Sequence, residues 1–221
     1  TLQSGLVGIG SGTPTHELEV VGAISASAAV SASAYYGRRL HMGTDTVNTG
    51  LLSVVAGGTR NEATDDYAVV AGGYDNTATA TYTFVGGGIQ NNATATQASV
   101  VGGNGNDVTQ QQSFIGGGAS NTVAAAASAI VGGSGNRVDA GDAFIGAGNT
   151  NYNTGQFGAL CAGYNNVVGG SYSFVGAGKE CTASAAYAVV GGGYRNKTTG
   201  DYGAVLGGLN NTSSAQRAFV L

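Results

Sequence analysis

The residues able to do chemistry are few, and they do not converge. The chain holds two histidines, His16 and His41, two cysteines, Cys161 and Cys181, and twelve acids. A nucleophile needs a base and an orienting group within hydrogen-bond reach, and neither histidine has an evident triad partner. Two acid pairs, Asp65 with Asp66 and Asp139 with Asp142, carry the carboxylates a glycosidase would use. A polysaccharide-degrading solenoid would build such a site from inserted loops, and the repeat described below has none, so solvated surface acids are the plainer reading. The cysteines show neither CxxC nor metal-ligand spacing and read as small apolar thiols; they occupy different repeat positions, which disfavours a disulfide. Gly86-Gly87-Gly88 is followed by no helix and no Lys-Ser/Thr pair, so it is not a phosphate loop. We expect no catalysis, no cofactor and no metal. The candidates left are aromatic: Tyr74, Tyr164 and Tyr194, whose rings suit contact with glycans.

What must position these groups is a repeat. From Asn61 an Asn recurs at every fifteenth position, at Asn76, Asn91, Asn106, Asn121, Asn136, Asn151, Asn166, Asn196 and Asn211, with Cys181 taking one place. Eleven repeats without an insertion are the signature of a solenoid. Numbering the Asn as slot 0, slot 12 is Gly in every coil from Gly58 to Gly208, slot 11 is Gly or Ala, slot 9 is aliphatic from Val55 to Val220, and slot 7 is small. The period of two predicts a strand whose slots 7, 9 and 11 share the buried face. The slot-12 Gly supplies a close approach or a backbone angle that a Cβ forbids, and the Asn forms a ladder that bonds from coil to coil at a turn.

Slots 8 and 10 should point outward, yet they are apolar or tiny, and they compensate. Phe84, Phe114, Phe144 and Phe174 at slot 8 go with Gly at slot 10; Val101, Val131, Cys161 and Leu206 at slot 10 go with Ser or Ala at slot 8. No charged residue occupies slots 7 to 12. A strand apolar on both faces needs cover on both, and one coil covers one. The expected cover is further copies of the chain, with Phe84, Val101, Phe114, Val131, Phe144, Phe174 and Leu206 at a homotrimer interface. Gly116→Val should then overpack that interface by about 1–3 kcal/mol. The slot-6 aromatics Tyr67, Tyr82, Phe157, Tyr172, Tyr187 and Tyr202 read as an extension of this ladder into the interface, hydroxyls toward water.

Composition sets further bounds. Gly is abundant, at 41 in the chain, but its period is the coil length and not three, which excludes collagen. Net charge is −4, against the basic surface that nucleic-acid or anionic-membrane binding needs. No run of about 18 apolar residues forms a membrane helix. Thr64, Thr79, Thr94 and Thr109 share one slot as an ice-binding ladder would, but the row breaks at Ala124, Asp139 and Gly169. The chain opens at Thr1 without Met and stops at Leu221 in mid-strand, so a fragment or processed product is expected. The predicted organisation is a β/junction segment over 1–45, in which Leu6–Pro14 leads into Leu18–Ile24 as two short apolar strands separated by a Pro/Gly turn, and a solenoid of about eleven repeats over 46–221. Ser25–Ala34 alternates Ser and Ala, open between an extended trimeric segment, which we favour, and a short Ala-rich helix.

The coil Tyr187-Ala188-Val189-Val190-Gly191-Gly192-Gly193-Tyr194-Arg195-Asn196 resembles the head repeats of trimeric autotransporter adhesins, whose usual repeat is one residue shorter. The stretch Val7-Gly8-Ile9-Gly10, Pro14 and Leu18-Glu19-Val20-Val21-Gly22 is similar to a segment of bacteriophage tail-fibre and tailspike proteins. Together the two patterns span nearly the whole chain. The resemblance implies a left-handed parallel β-roll that trimerises around a central axis; the extra residue leaves handedness open. The fold class expected is therefore all-β, a parallel β-solenoid in a homotrimeric rod with a short N-terminal β segment. Eleven coils at about 4.8 Å each would make a rod of roughly 53 Å. The function expected is a structural and attachment segment of a phage or injection-system tail fibre on the virion. The alternative is an adhesin head on a bacterial cell surface; an ice-binding or polysaccharide-degrading solenoid stands behind both. Partners expected are two further copies, a neighbouring fibre or baseplate protein, and a host glycan or protein receptor, with neither nucleic acid nor membrane insertion. Recognition is expected mainly in tips or flanking domains, because a gap-free rod offers no loop to vary.

Overall fold

The computed structural model describes residues 40–221 throughout, together with three strands before them. Those three, β1 (Leu2–Gln3), β2 (Leu6–Ile9) and β3 (Leu18–Val20), form a small sheet in which β1–β2 is antiparallel and β2–β3 parallel. The expectation for Ser25–Ala34 lies outside the described residues. The chain divides into a unit of residues 1–36 and one of 37–221, so the boundary read at 45/46 falls inside the second unit.

The second unit is a parallel β-solenoid. Each coil carries a two-residue strand at slots 1–2 and another at slots 8–9, which stack into ladders of 12 and 13 parallel strands. A third ladder of single bridges runs through slot 13, from Thr44 to Leu209. Every partner lies one full repeat on, as in Phe84↔Ser99 and Glu62↔Thr77. The first coil is the exception. Leu40 pairs with Val54, one position short of a full repeat, whereas Thr44 pairs with Thr59 at the usual spacing. That coil has one residue fewer between Met42 and Gly43, so the stack starts before any repeat is visible in the sequence.

Strands of two residues must be joined by sharp corners, and backbone angles make them. Slot 6 and slot 14 have φ near +57° in coil after coil, even where the residue is Tyr67 or Arg60. At both corners the N–H turns back toward the preceding coil, Tyr67 N–H to Leu51 O and Asp75 N–H to Thr59 O, while strand N–H groups bond forward, Val69 to Thr83 O. The left-handed corner is the geometry that reverses the peptide while keeping it hydrogen-bonded. Slot 12 is stricter. Gly73 has φ +95°, and a Cβ there would collide with the carbonyl oxygen of Gly88 in the next coil and stand 2.7 Å from Asn76 Nδ2.

The buried interior differs from the sequence expectation in one respect. Slots 7 and 9 are inside, with Val55, Val70, Ile115, Ile130, Ile145 and Leu160 wholly buried. Slot 11 is not. The strand ends at slot 9, the backbone bends, and a Cβ at Gly132 would meet nothing within 4 Å. The interior is completed instead by slots 0 and 2: the Asn ladder, then Ala63, Val108, Val123, Val138 and Val168. Slot-2 volume is matched within its own coil. Buried Asn153 donates to Gly158 O (2.9 Å) and Phe144 O (3.1 Å) and accepts from Gly155 N–H (3.1 Å). A Cβ on Gly158 would stand 2.8 Å from Asn153 Oδ1.

The Asn side chains stitch the coils together at a buried corner. Asn76 donates its backbone N–H (3.0 Å) and its Nδ2 (3.1 Å) to Asn61 Oδ1, and donates Nδ2 again to Gly72 O (3.0 Å) and to Gly88 O of the next coil (2.9 Å). Its own Oδ1 accepts from Asn91 N–H (3.0 Å) and Nδ2 (3.2 Å). Such a satisfied polar row is compatible with full burial.

Candidate functional site

Three ladders give the stack three outer faces of different chemistry. Over the slot 8–9 strands the face is apolar. Phe84, Phe114 and Phe144 are exposed at slot 8, and Val101, Val131 and Leu206 are about half exposed at slot 10; Phe174 is partly covered. Phe114 folds over its own slot 10, with Cε1 3.4 Å from where a Gly116 Cβ would be. The same Cβ would collide with the carbonyl oxygen of Val131 in the next coil. Gly116→Val thus strains the coil itself and cannot isolate an interface between chains, which corrects the use expected of it.

Along one corner of this face runs a row of stacked rings. Phe157, Tyr172, Tyr187 and Tyr202 stack with centroids 4.9, 5.1 and 4.7 Å apart, and Tyr67 stacks on Tyr82 at 4.9 Å. The left-handed slot-6 backbone places them there. Each inner ring covers its neighbours' faces, so the row presents ring edges and hydroxyls rather than stacking platforms.

Over the slot 1–2 strands the face is polar. Arg137 Nε and Tyr152 Oη both donate to Asp139 Oδ2, at 2.8 and 2.7 Å, while Asp139 Oδ1 is buried with no hydrogen-bond partner. Burial pushes the Asp139 carboxyl up, but the hydrogen bonds from Arg137 and Tyr152 outweigh it and hold its pKa below the usual range. Asp107 has no such donors, and burial raises its pKa despite the charge of Arg137. The acids singled out in pairs are placed as follows. Asp65 accepts the Asp66 N–H (2.7 Å) and Asp66 accepts the Leu51 N–H (2.8 Å), while Asp142 occupies a slot-6 corner away from the strand face of Asp139.

Over the slot-13 bridges lie the three candidate glycan-contact tyrosines, and cations accompany them. Arg60 sits over the Tyr74 ring at 5.6 Å and donates to its hydroxyl (3.2 Å). The Lys179 ammonium is 5.6 Å from the Tyr164 centroid and 5.5 Å from that of Tyr194, and Arg195 is 4.7 Å from Tyr194. Glu180 holds both cations, at 2.6 Å from Arg195 and 3.9 Å from Lys179. The sequence singled out the tyrosines; the Lys179 that joins two of them sits a whole coil from each and is found only through the coil register.

His16 lies outside the described residues, and His41 closes the first strand of the stack. Both cysteines are free thiols, Cys161 exposed at slot 10 and Cys181 buried in the Asn row. Among the described residues no three His, Cys, Asp or Glu side chains are grouped to hold a metal ion, and no helix is long and apolar enough to cross a membrane. No protein-family model and no curated protein matches this chain.

Proposed function

We propose that the coil stack is a rod segment of a homotrimeric attachment fibre of the phage or injection-system tail type, a structural spacer that contributes to host-surface adhesion. The observation that supports this is the apolar outer ladder. Phe84, Val101, Phe114, Val131 and Phe144 repeat along one face over consecutive coils, while the other two faces are mostly polar, charged or tyrosine-bearing, with Val47, Ile89 and Leu209 as scattered exposed exceptions. Contiguous apolar surface on this scale is what association buries, and an exposed parallel sheet face of this kind would otherwise aggregate. Three copies packed by this face would leave the slot-1 and slot-13 faces in water. Rod stiffness would come from the continuous ladders and the Asn row. The N-terminal motif favours the tail-fibre reading over an adhesin head on a bacterial surface. Native mass spectrometry of the purified chain tests the assembly: three chains per particle is the expected result, and a soluble folded monomer would overturn it.

A further inference from the structure

We infer that the Tyr164–Lys179–Glu180–Tyr194–Arg195 cluster is a binding site for an acidic polysaccharide, one carrying carboxylate or sulfate groups. It extends the attachment reading by giving the rod a ligand class of its own. The first ground is charge distribution. After residue 178 the coils carry Lys179, Arg195, Lys197 and Arg217 against Glu180 and Asp201; between residues 42 and 178 they carry Arg60 and Arg137 against eight acids. From residue 42 on, four of the six cations thus fall in the last coils, while Arg38 and Arg39 precede the stack in the sequence. The second ground is geometry. Tyr164, Lys179 and Tyr194 are successive members of the slot-13 ladder, so they stand one above another on one face. Tyrosine rings flank the Lys179 ammonium, and Arg195 lies over Tyr194, so both cations are held out from the surface while their side chains remain more than half exposed.

This arrangement selects a ligand. Ring faces already holding cations are poorly placed to stack on a neutral sugar. What they present is charge with donor hydrogens, which bonds carboxylate and sulfate oxygens more strongly than neutral hydroxyls. Lys179 and Arg195 stand in adjacent coils, about 4.8 Å apart along the axis, so an extended polymer with an acid group on each residue or two engages both in turn. A single small anion would have to displace Glu180 for the same contacts. The slot-13 face lies outside the apolar face assigned to self-association, so each chain of an assembly keeps its site and the sites add through avidity.

Glu180 makes the inference testable in a direction that a purely structural clasp would not give. Retention of the full-length chain is measured by affinity electrophoresis in gels containing polygalacturonate, dextran sulfate, neutral dextran or poly-glutamate, at low and raised salt. Retention by polygalacturonate or dextran sulfate but not by neutral dextran is expected, with the stronger of the two assigning carboxylate or sulfate. Lys179→Gln with Arg195→Gln should weaken it about tenfold and flatten its salt dependence, while Glu180→Gln, which removes the competing carboxylate, should strengthen it about threefold. Arg137→Gln, on the slot 1–2 face in the acidic part of the stack, should change nothing. The inference is overturned by equal retention in neutral dextran, by absence of retention in both acidic gels, by equal or stronger binding to poly-glutamate, by indifference to the double variant, or by weakening in Glu180→Gln. The mass of the same samples separates this failure from that of the trimer reading, since a monomer that binds acidic polymers keeps the site and loses only the assembly.

Discussion

Cys181 interrupts the Asn row, and restoring the row measures what it contributes. In the intact part each Asn receives two bonds at Oδ1 and makes three through Nδ2, as Asn76 does with Asn61, Gly72 and Gly88. At the break Cys181 N–H still reaches Asn166 Oδ1 (2.9 Å), but the thiol only approaches Gly193 O at 3.5 Å and offers no oxygen to Asn196 above it. In Cys181→Asn the new side chain should donate to Asn166 Oδ1, Ala177 O and Gly193 O and accept from Asn196. Gly178 leaves the room, since the equivalent glycines already approach an Asn amide closely. The amide has two hydrogens for these three acceptors, so two full bonds donated and one accepted from the Asn196 N–H, at about 1 kcal/mol each, less somewhat under 1 kcal/mol for ordering the side chain, leave about 2 kcal/mol per chain. For a chain of this size that is a rise of roughly 4–8 °C in Tm. The assay is thermal and guanidinium unfolding followed by circular dichroism, under reducing conditions so that thiol oxidation does not intervene. The mirror variant, Asn121→Ala, should lose at least about 3 kcal/mol, because it leaves the buried Asn136 N–H without its acceptor and takes one donor each from Gly133 O and Asn106 Oδ1. An unchanged or lowered midpoint in Cys181→Asn would refute the reasoning: the row would then be a consequence of the corner and not a cause of its stability.

Three further expectations follow from separate parts of the molecule. Val131→Asp places a charge on the exposed apolar face without touching the coil interior, so sedimentation should show smaller particles with unchanged circular dichroism; unchanged mass would show that this face is not the contact. Gly133→Ala forces a Cβ onto the Gly148 carbonyl and into a left-handed backbone, and should lower stability by more than about 2 kcal/mol, whereas Gly132→Ala, facing open space outside the left-handed region, should be near neutral; equal unfolding midpoints would contradict the corner geometry. Asp107 is an acid whose folded pKa is raised by burial, so its charged form is penalised at neutral pH and the penalty disappears as pH falls through the unfolded-state pKa. Asp107→Asn should therefore raise Tm at pH 7, with the gain vanishing at acid pH; a gain that persists in acid would point to a cause other than charge burial.

Much of the fold was legible because the repeat makes each position speak eleven times. Invariant glycine at slot 12 and aliphatic residues at slot 9 located one strand and one corner directly. The slot 1–2 strand was not legible, because its outward residue varies freely: Glu62, Thr77, Asn92, Asp107, Arg137 and Tyr152 occupy slot 1. Its inward residue, Ala or Val in most coils, looks like surface filler until the coil closes. Slot 11 was misassigned for a related reason. Alternation was carried two residues past the end of a strand only two residues long, where the chain has already bent. The cationic partners of Tyr164 and Tyr194 depend on neighbours one coil apart and on side-chain reach, neither of which a slot-by-slot reading weighs.

The short first coil bears on why the rest of the repeat has constant length. Between Leu40 and Val54 one residue is missing at the slot-11 bend, yet the strands on both sides pair in register, and Gly43 keeps the slot-12 conformation at φ +104°. Closing a coil therefore does not by itself require the full repeat length; slot 11 points outward and can be dispensed with. From Asn61 onward no coil uses this freedom. The slot-11 bend directly follows slot 10, the edge of the apolar face. In the short coil, however, Met42 at slot 10 still donates its N–H to Val55 O (2.9 Å), as Ala56 does to Val70 O (3.0 Å), so the backbone of the outer row stays in line. Constant length from Asn61 onward is therefore a condition neither of closing the coil nor of keeping the slot-10 row straight. The same argument places the tolerance limit: deleting Gly132 should leave the coil stack folded by circular dichroism, while deleting Val123 in the interior should unfold the coil. Loss of fold in both deletions would mean that the coil itself demands its length.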